Sequence, residues 1–152
     1  AGLVASLAGD VFLMLPDRFV PGLLSFLIAH IFYIIAFTHE SSGLAPIGYI
    51  VPFALYGLAM LRWLWPHLGS LRVPVLVYMS AILIMAYQAA NRWNETSQDG
   101  TLLALVGAYL FVASDSALAV STFRGRFRGA DVIVLSTYFA AQLLIAWSVY
   151  AR

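Results

Sequence analysis

The stretch LFVASDSALAV, residues 110–120, is an apolar run with one ionisable side chain, Asp115, in its middle. It belongs to a longer segment, residues 101–123, that carries no other charge and has the length of a membrane-spanning helix, about 20 residues. Charges within such spans are rare and mark functional sites by default. The segment therefore predicts both a membrane fold and a site inside it.

The whole chain has the composition of a membrane protein. It has 152 residues, of which 62% are hydrophobic and 10% charged, whereas a soluble domain carries about 25% charged residues. The candidate spans are residues 1–15, 21–37, 44–64, 73–90, 101–123 and 132–151. Short connections with Pro, Gly or charged residues separate them, as is typical of helix ends. We therefore predict an all-α fold, a polytopic transmembrane helix bundle of about six spans, with residues 1–152 as a single domain.

Residue types missing from the chain exclude several kinds of chemistry. There is no Cys, which excludes disulfides, thiolate metal sites and cysteine nucleophiles. All eight basic residues are Arg, so no lysine Schiff base can form, and a net charge of +1 does not indicate a nucleic-acid partner. The sequence also lacks the G-x-S-x-G, H-E-x-x-H and glycine-rich phosphate-loop motifs. We expect no cofactor.

The arginines predict the orientation, because cytoplasmic loops carry an excess of positive charge. The first, third and fifth connections or their flanks hold Arg18, Arg62, Arg72, Arg124, Arg126 and Arg128, whereas the other side holds only Arg92 and Arg152. The first set is predicted to lie in the cytoplasm, with the protein in a bacterial cytoplasmic membrane.

Two acids and several polar side chains fall inside the predicted spans. Asp10 lies six positions before Pro16, and Asp115 lies eight before Phe123. At about 1.5 Å of helical rise per residue, these positions are roughly 9 and 12 Å from the cytoplasmic helix ends. The same count places other polar residues beside or just below them: His30, Tyr33, Tyr78, Ser114, Tyr138 and Gln142. We predict a polar pocket that opens toward the cytoplasmic leaflet, in which these six residues position substrate or water.

The neighbours of the acids also have structural interpretations. A lone intramembrane His such as His30 is more often a satisfied hydrogen bond between helices than a ligand, and the tyrosines and the glutamine pack as readily as they catalyse. Ser114 can bond back to its own helix. The spacing of Ala1, Ala5 and Gly9 is a small-residue pattern that predicts close approach of a neighbouring helix near Asp10.

Two carboxyls in a pocket of low dielectric suit general acid and base catalysis, because one can keep its proton while the other stays ionised. We expect Asp115 to be the acid, since the deeper carboxyl is harder to ionise, and Asp10 to be the base. Three alternatives remain open: a metal-dependent lipid hydrolase using Asp10, Asp115 and His30, a proton-coupled transporter using the acids as a relay, and a purely structural bundle.

Five blocks in order along the chain carry a family resemblance: AGDVFLML at 8–15, GLLSFLIAHIFYIIAF at 22–37, RVPVLVYMSAILIM at 72–85, GAYLFVASDSALAVSTF at 107–123 and YFAAQLLIAWS at 138–148. Together they resemble the YhhN-type lysoplasmalogenase family. The resemblance implies hydrolysis of the vinyl-ether bond of a lysoplasmalogen, giving a fatty aldehyde and a glycerophospho-ethanolamine or -choline. Asp10 and Asp115 match the family's proposed catalytic pair.

The resemblance also implies a lipid substrate and a larger number of helices. The substrate is a lysophospholipid taken from membrane lipid, and we predict that Arg72, Arg124 and Arg126 pair with its phosphate. The other interpretation of these arginines is the general excess of positive charge in cytoplasmic loops. No protein partner is predicted. The family is usually drawn with eight helices, so we expect further helices upstream of this chain.

Overall fold

The computed structural model describes residues 1–39 and 47–151, and within them the chain forms six α-helices and no strand. The helices are α1 Gly2–Met14, α2 Phe19–His39, α3 Ile50–Leu64, α4 Arg72–Thr96, α5 Asp99–Phe123 and α6 Ala130–Trp147. Single 3-10 turns occupy Ile47–Tyr49, Trp65–His67 and Gly69–Leu71. The predicted all-α bundle is confirmed.

Four of the helices, α2, α4, α5 and α6, are long and apolar enough to cross a membrane. Their outer faces expose large hydrophobic side chains, such as Leu24, Ile84 and Leu143 at 53%, 49% and 60% exposure. A soluble protein rarely exposes apolar surface on this scale. With 13 and 15 residues, α1 and α3 are shorter, about 20 Å in length. The chain is therefore an integral membrane protein, with four helices of full spanning length among the described residues.

Several predicted helix ends were wrong. The fourth span was predicted to end at Ala90, but α4 continues to Thr96 and stops where Ser97 takes the left-handed conformation (φ 49°). Hydropathy marks where a helix leaves the apolar layer, whereas the polar residues beyond that point still continue the helix. The sixth helix ends at Trp147, before the predicted 151. The predicted start of the third span, Leu44, lies outside the described residues.

The helices pack through small side chains. α2 packs on α1 and α4, and α5 packs on α4 and α6. Fully buried alanines lie where these helices meet: Ala29, Ala86, Ala89, Ala104, Ala108 and Ala141. Without a hydrophobic driving force between helices in lipid, such close packing is the main source of association. We call these six residues the alanine seam, and they belong to the buried core of the bundle.

The small-residue face of α1 differs in detail from the predicted stripe. Its buried residues are Gly2, Ser6 and Gly9, whereas Ala1 is exposed and Ala5 only partly buried. The predicted close approach is present, but the contacting face is rotated because a helix repeats every 3.6 residues and not every four.

One of the two closest approaches on α1 is at Gly9, which faces the ring of Phe26 on α2. A Cβ added to Gly9 would lie 2.6 Å from Cε2 of Phe26, a separation well inside van der Waals contact. Glycine therefore lets α1 lie directly on α2. This contact fixes the height of Asp10, the next residue along α1, relative to the rest of the bundle.

α3 differs from the other helices because it is only loosely held. Its buried residues are Gly57 and Leu64 alone, and it contacts α4 and α5 from outside the bundle. A groove remains between α3 and the rest of the molecule, and this groove leads to the candidate site.

Candidate active site

The first half of the site is a carboxyl and a phenol on neighbouring helices. Tyr78 of α4 donates a hydrogen bond from its hydroxyl to Oδ2 of Asp115 on α5. Asp115 is partly buried and lines the groove beside α3. The structure thus brings together an acid and a tyrosine that are 37 positions apart in the sequence.

The groove spans about 720 Å³ when the open space at its mouth is counted, and apolar side chains form most of its wall. The wall is drawn from five helices and includes Leu13, Leu23, Phe26, Met60, Val75, Met79, Val112, Leu118 and Phe123. Along α5 the lining runs from Val112 to Phe123, roughly 16 Å of helix. An apolar channel of this kind, with one acid in it, suits a hydrocarbon chain next to a reactive group.

Sequence reasoning missed two polar residues at the edge of this groove. The hydroxyl of Tyr56 on α3 lies 2.6 Å from Oγ of Ser116 on α5, and Ser116 donates to the backbone oxygen of Val112 at 2.6 Å. Because the Ser116 hydrogen is used in that bond, Tyr56 is the donor to Ser116. The only signal for Ser116 was its position next to Asp115. Nothing in the apolar sequence of α3 indicated which way Tyr56 faces.

The second half of the site is built around Asp10 on α1. Tyr138 of α6 donates to Oδ2 of Asp10 at 2.8 Å, and Gln142 donates from Nε2 to the Tyr138 hydroxyl at 3.0 Å. Tyr33 of α2 donates to Oε1 of Gln142 at 2.8 Å, and Oγ of Ser6 lies 3.5 Å from the Tyr33 hydroxyl. These bonds share one direction, because Tyr33 donates to Gln142, Gln142 to Tyr138 and Tyr138 to Asp10. We call this series the donor chain, and it ends on Asp10.

The two acid–tyrosine pairs are connected through aromatic rings. The Tyr138 ring lies 5.4 Å from Phe111, Phe111 lies 4.8 Å from His30, and His30 lies 5.3 Å from Tyr78. Each contact is edge to face, an arrangement that aromatic rings prefer. No hydrogen bond between the carboxyls of Asp10 and Asp115 exists among the described residues. The acids therefore do not share a proton directly, as the two acids of an aspartic protease do.

His30 lies at the centre of these contacts and is completely buried. Its Nδ1 lies 2.6 Å from the backbone oxygen of Phe26, one turn earlier in α2, whereas its Nε2 has no hydrogen-bond partner. Within residues 1–39 and 47–151 neither Asp10 nor Asp115 forms an ion pair, so His30 does not serve as their cation.

Ser114 is used between helices and does not bond back to α5. Its Oγ donates to the backbone oxygen of Val134 on α6 at 2.9 Å, and its side chain is buried. This bond holds α5 to α6 next to Asp115. The geometry gives Ser114 a positioning role and no contact with the groove.

The three arginines predicted to bind phosphate are exposed, and each has a partner within the protein. The guanidinium of Arg72 lies 4.9 Å from the Trp65 ring, and that of Arg124 lies 4.7 Å from the Trp63 ring. Nη1 of Arg124 also donates to the backbone oxygen of Trp63 at 3.2 Å, and the other guanidinium N–H groups of the two arginines are left for an anion. Arg126 forms an ion pair with Asp131.

The described residues contain no group of three or more His, Asp or Glu side chains placed to hold one metal ion. His30 is engaged by a backbone oxygen on one side, and the two acids are held by different tyrosines. The arrangement therefore gives no support to a ligand set made of Asp10, Asp115 and His30.

Comparison with known proteins decides the family, because residues 1–149 match the model of the YhhN family. The chain belongs to the YhhN family. The resemblance predicted from the sequence blocks is thereby confirmed. No solved structure matches the chain.

Curated YhhN relatives match over nearly the whole chain. The membrane protein YhhN of Escherichia coli is 31% identical over 155 residues, which is 99% of this chain and 73% of that protein. Lysoplasmalogenase TMEM86A from Bos taurus is 36% identical, covering 97% of this chain and 62% of its own length. The lysoplasmalogenase of Mycobacterium bovis is 33% identical, covering 94% of this chain and 56% of its own length. The chain thus spans little more than half the length of these two enzymes.

Proposed function

We propose that this chain is the catalytic part of a membrane lysoplasmalogenase, which hydrolyses the vinyl-ether bond of a lysoplasmalogen to a fatty aldehyde and a glycerophospho-ethanolamine or -choline. Relatives from mammals and a bacterium bear the name lysoplasmalogenase. The observation that carries the proposal is the pair of acids inside the bundle, each held by a tyrosine from another helix, with Asp115 in an apolar groove.

The groove supports a single-chain lipid as the substrate. Asp115 lies eight residues from Phe123, where the groove lining on α5 ends, or roughly 12 Å along the helix. Arg124 follows directly and stacks on Trp63 with its guanidinium exposed. In a lysoplasmalogen only the glycerol backbone separates the phosphate from the vinyl ether. A phosphate near Arg124 therefore allows the vinyl ether to reach toward Asp115.

In this reaction the protonated carboxyl of Asp115 gives its proton to the β-carbon of the vinyl ether, and the electrons of the double bond form the new C–H bond. The α-carbon becomes an oxocarbenium centre. Water adds to that carbon and loses one proton to Asp10, which leaves a hemiacetal. The hemiacetal loses its hydroxyl proton, the C–O bond to glycerol breaks, and the glycerol oxygen takes up a proton. Solvent then returns the proton held by Asp10 to Asp115.

The direction of the donor chain supports this division of roles. Asp10 receives a hydrogen bond that is reinforced by Gln142 and Tyr33 behind it, and consecutive bonds of one direction polarise each other. A carboxylate that accepts the last hydrogen bond of such a chain is suited to be the base that takes a proton from water. Asp115 receives one bond, from Tyr78, and faces the groove where the substrate lies.

The test is the separate substitution Asp10→Asn and Asp115→Asn in the full chain, purified in lipid nanodiscs, with aldehyde release from a lysoplasmalogen measured. Loss of a general acid or base lowers the rate by about 10²- to 10⁴-fold. Asp17→Asn is the matched control, because Asp17 is exposed in the α1–α2 turn. Near-normal release by either site variant contradicts the paired-acid reaction. Loss of folded protein with unchanged activity per folded molecule indicates a structural role.

A further inference from the structure

His30 Nε2 is a buried acceptor that the acid–tyrosine pairs do not use. We propose that it binds a single buried water molecule, and that this water is the one that adds to the oxocarbenium carbon; the second part rests on the proposed function. His30 is 0% exposed, and its Nε2 is without a partner among the described residues. Buried polar atoms in folded proteins are nearly always paired with protein or with ordered water.

The backbone fixes which nitrogen of His30 carries hydrogen. The carbonyl oxygen of Phe26 can only accept, so the 2.6 Å contact requires an N–H at Nδ1. A neutral imidazole has one N–H, and Nε2 is therefore a lone-pair acceptor. A second side chain that donates to it is absent from the described part of the chain, whereas a water molecule can donate and still present its own oxygen to a reacting carbon.

The surroundings of His30 offer the water further partners. Buried waters make about three hydrogen bonds. The Tyr78 ring lies edge to face at 5.3 Å and the Tyr33 ring at 6.4 Å. Both hydroxyls already donate, to Asp115 and to Gln142, so either oxygen can accept the one hydrogen of the water that Nε2 does not take. The aromatic rings otherwise exclude bulk solvent from this position.

The position also suits the chemistry. His30 is the polar member of the ring contacts that run from Tyr138, the partner of Asp10, to Tyr78, the partner of Asp115. A water there donates one hydrogen to Nε2 and keeps it in the hemiacetal. Its other hydrogen is lost as a proton when the oxygen adds to the carbon, and in the proposed reaction Asp10 is the base that accepts that proton. His30 holds and orients the water without changing its own protonation, and so acts as a positioning residue.

The nitrogen spectrum of His30 tests the water site without reference to activity. The chain has three histidines, and replacing His39 and His67 with Gln leaves His30 as the single ¹⁵N-labelled imidazole. We expect a protonated Nδ1 and an unprotonated Nε2 whose chemical shift is that of an acceptor hydrogen-bonded to water, with a cross-peak to water protons. A protonated Nε2, or a bare acceptor with no contact to water, overturns the proposal.

Trapping with methanol tests whether this water is the reactive one. Methanol that replaces water adds to the same carbon and gives a mixed acetal in place of the aldehyde. In His30→Phe we expect kcat to fall about 100-fold, as for a misplaced reactant, with KM unchanged and a larger fraction of acetal. His30→Gln, which keeps a polar group, should recover part of the rate, and His67→Gln is the matched control for an exposed histidine.

The two proposals fail in different ways. A wild-type rate and an unchanged acetal fraction in His30→Phe overturn the role of the water in the reaction. If the unaltered chain releases no aldehyde, the proposed function fails, whereas the nitrogen spectrum still decides whether Nε2 of His30 binds water. If His30→Phe does not fold, His30→Gln supplies the same comparison of kcat and acetal fraction.

Discussion

Replacing Gly9 with Ala should damage activity far more than stability. The added Cβ would lie 2.6, 2.7 and 2.9 Å from three ring atoms of Phe26, whereas ordinary contact begins at 3.4 Å. The ring must therefore retreat by about 0.8 Å, the difference between the shortest separation and contact. Phe26 is only 7% exposed and lies edge to face against Tyr138 at 5.8 Å. Its retreat displaces the tyrosine that holds Asp10.

The expected loss of stability in Gly9→Ala is small, whereas the expected loss of activity is large. Overpacking costs about 1–3 kcal/mol, and about 1 kcal/mol is regained because Ala favours a helix over Gly. The net loss of unfolding free energy is then about 0–2 kcal/mol. A displacement near 1 Å in a catalytic constellation lowers the rate about 100-fold. The assays are reversible unfolding in mixed micelles and aldehyde release per folded molecule.

A matched glycine gives the control. An alanine Cβ at Gly48 meets no heavy atom within 4 Å, so Gly48→Ala should leave both quantities unchanged. Shortening the obstructing ring with Phe26→Leu should restore part of the activity of Gly9→Ala, because the two changes are coupled through one contact. Wild-type aldehyde release by Gly9→Ala would refute the idea that the α1–α2 contact sets the position of Asp10.

Two further substitutions test the donor chain and the groove entrance. Tyr138→Phe removes the bond to Asp10 and should lower kcat by about 10- to 100-fold, the range for a hydrogen bond to a charged group. Tyr109 is exposed, so Tyr109→Phe should leave kcat unchanged. An equal loss of kcat in both variants would contradict a specific role for the Tyr138 hydroxyl. Arg124→Gln should raise KM with little change in kcat, because a phosphate contact made equally in substrate and transition state affects binding alone. Arg128→Gln is its exposed control, and an unchanged KM in Arg124→Gln would remove that arginine from the head-group site.

Counting residues from the helix ends gave the depth of each site residue in the membrane. It could not give the direction in which each side chain points. It placed Tyr78 and Tyr138 near the level of the two acids. It could not assign Tyr78 to Asp115 and Tyr138 to Asp10, since that choice depends on the angle at which each helix faces its neighbours. In a bundle whose helices are apolar on all sides, the sequence carries little information about that angle.

The same lack of a polar face explains why Tyr56 was missed. The sequence of α3 is apolar up to Arg62 in its last turn, so its hydroxyl-bearing residue has no periodic pattern to mark it. The α4 boundary was wrong for a different reason, since Asn91 and Arg92 continue the helix beyond the apolar run. Fold class and the count of helices depend on hydropathy and were predictable, whereas side-chain partners depend on helix rotation and were not.

The alanine seam also indicates where the protein can change. Ala29, Ala108 and Ala141 are fully buried, so a larger side chain at any of them would have to separate two helices. We therefore expect little sequence variation at these positions. α3, with only two buried residues, forms one wall of the groove, and its Met60 can be altered without disturbing the seam. An engineer who wants to change which lipids the groove accepts should therefore vary α3, and drift among related sequences should concentrate on the same helix.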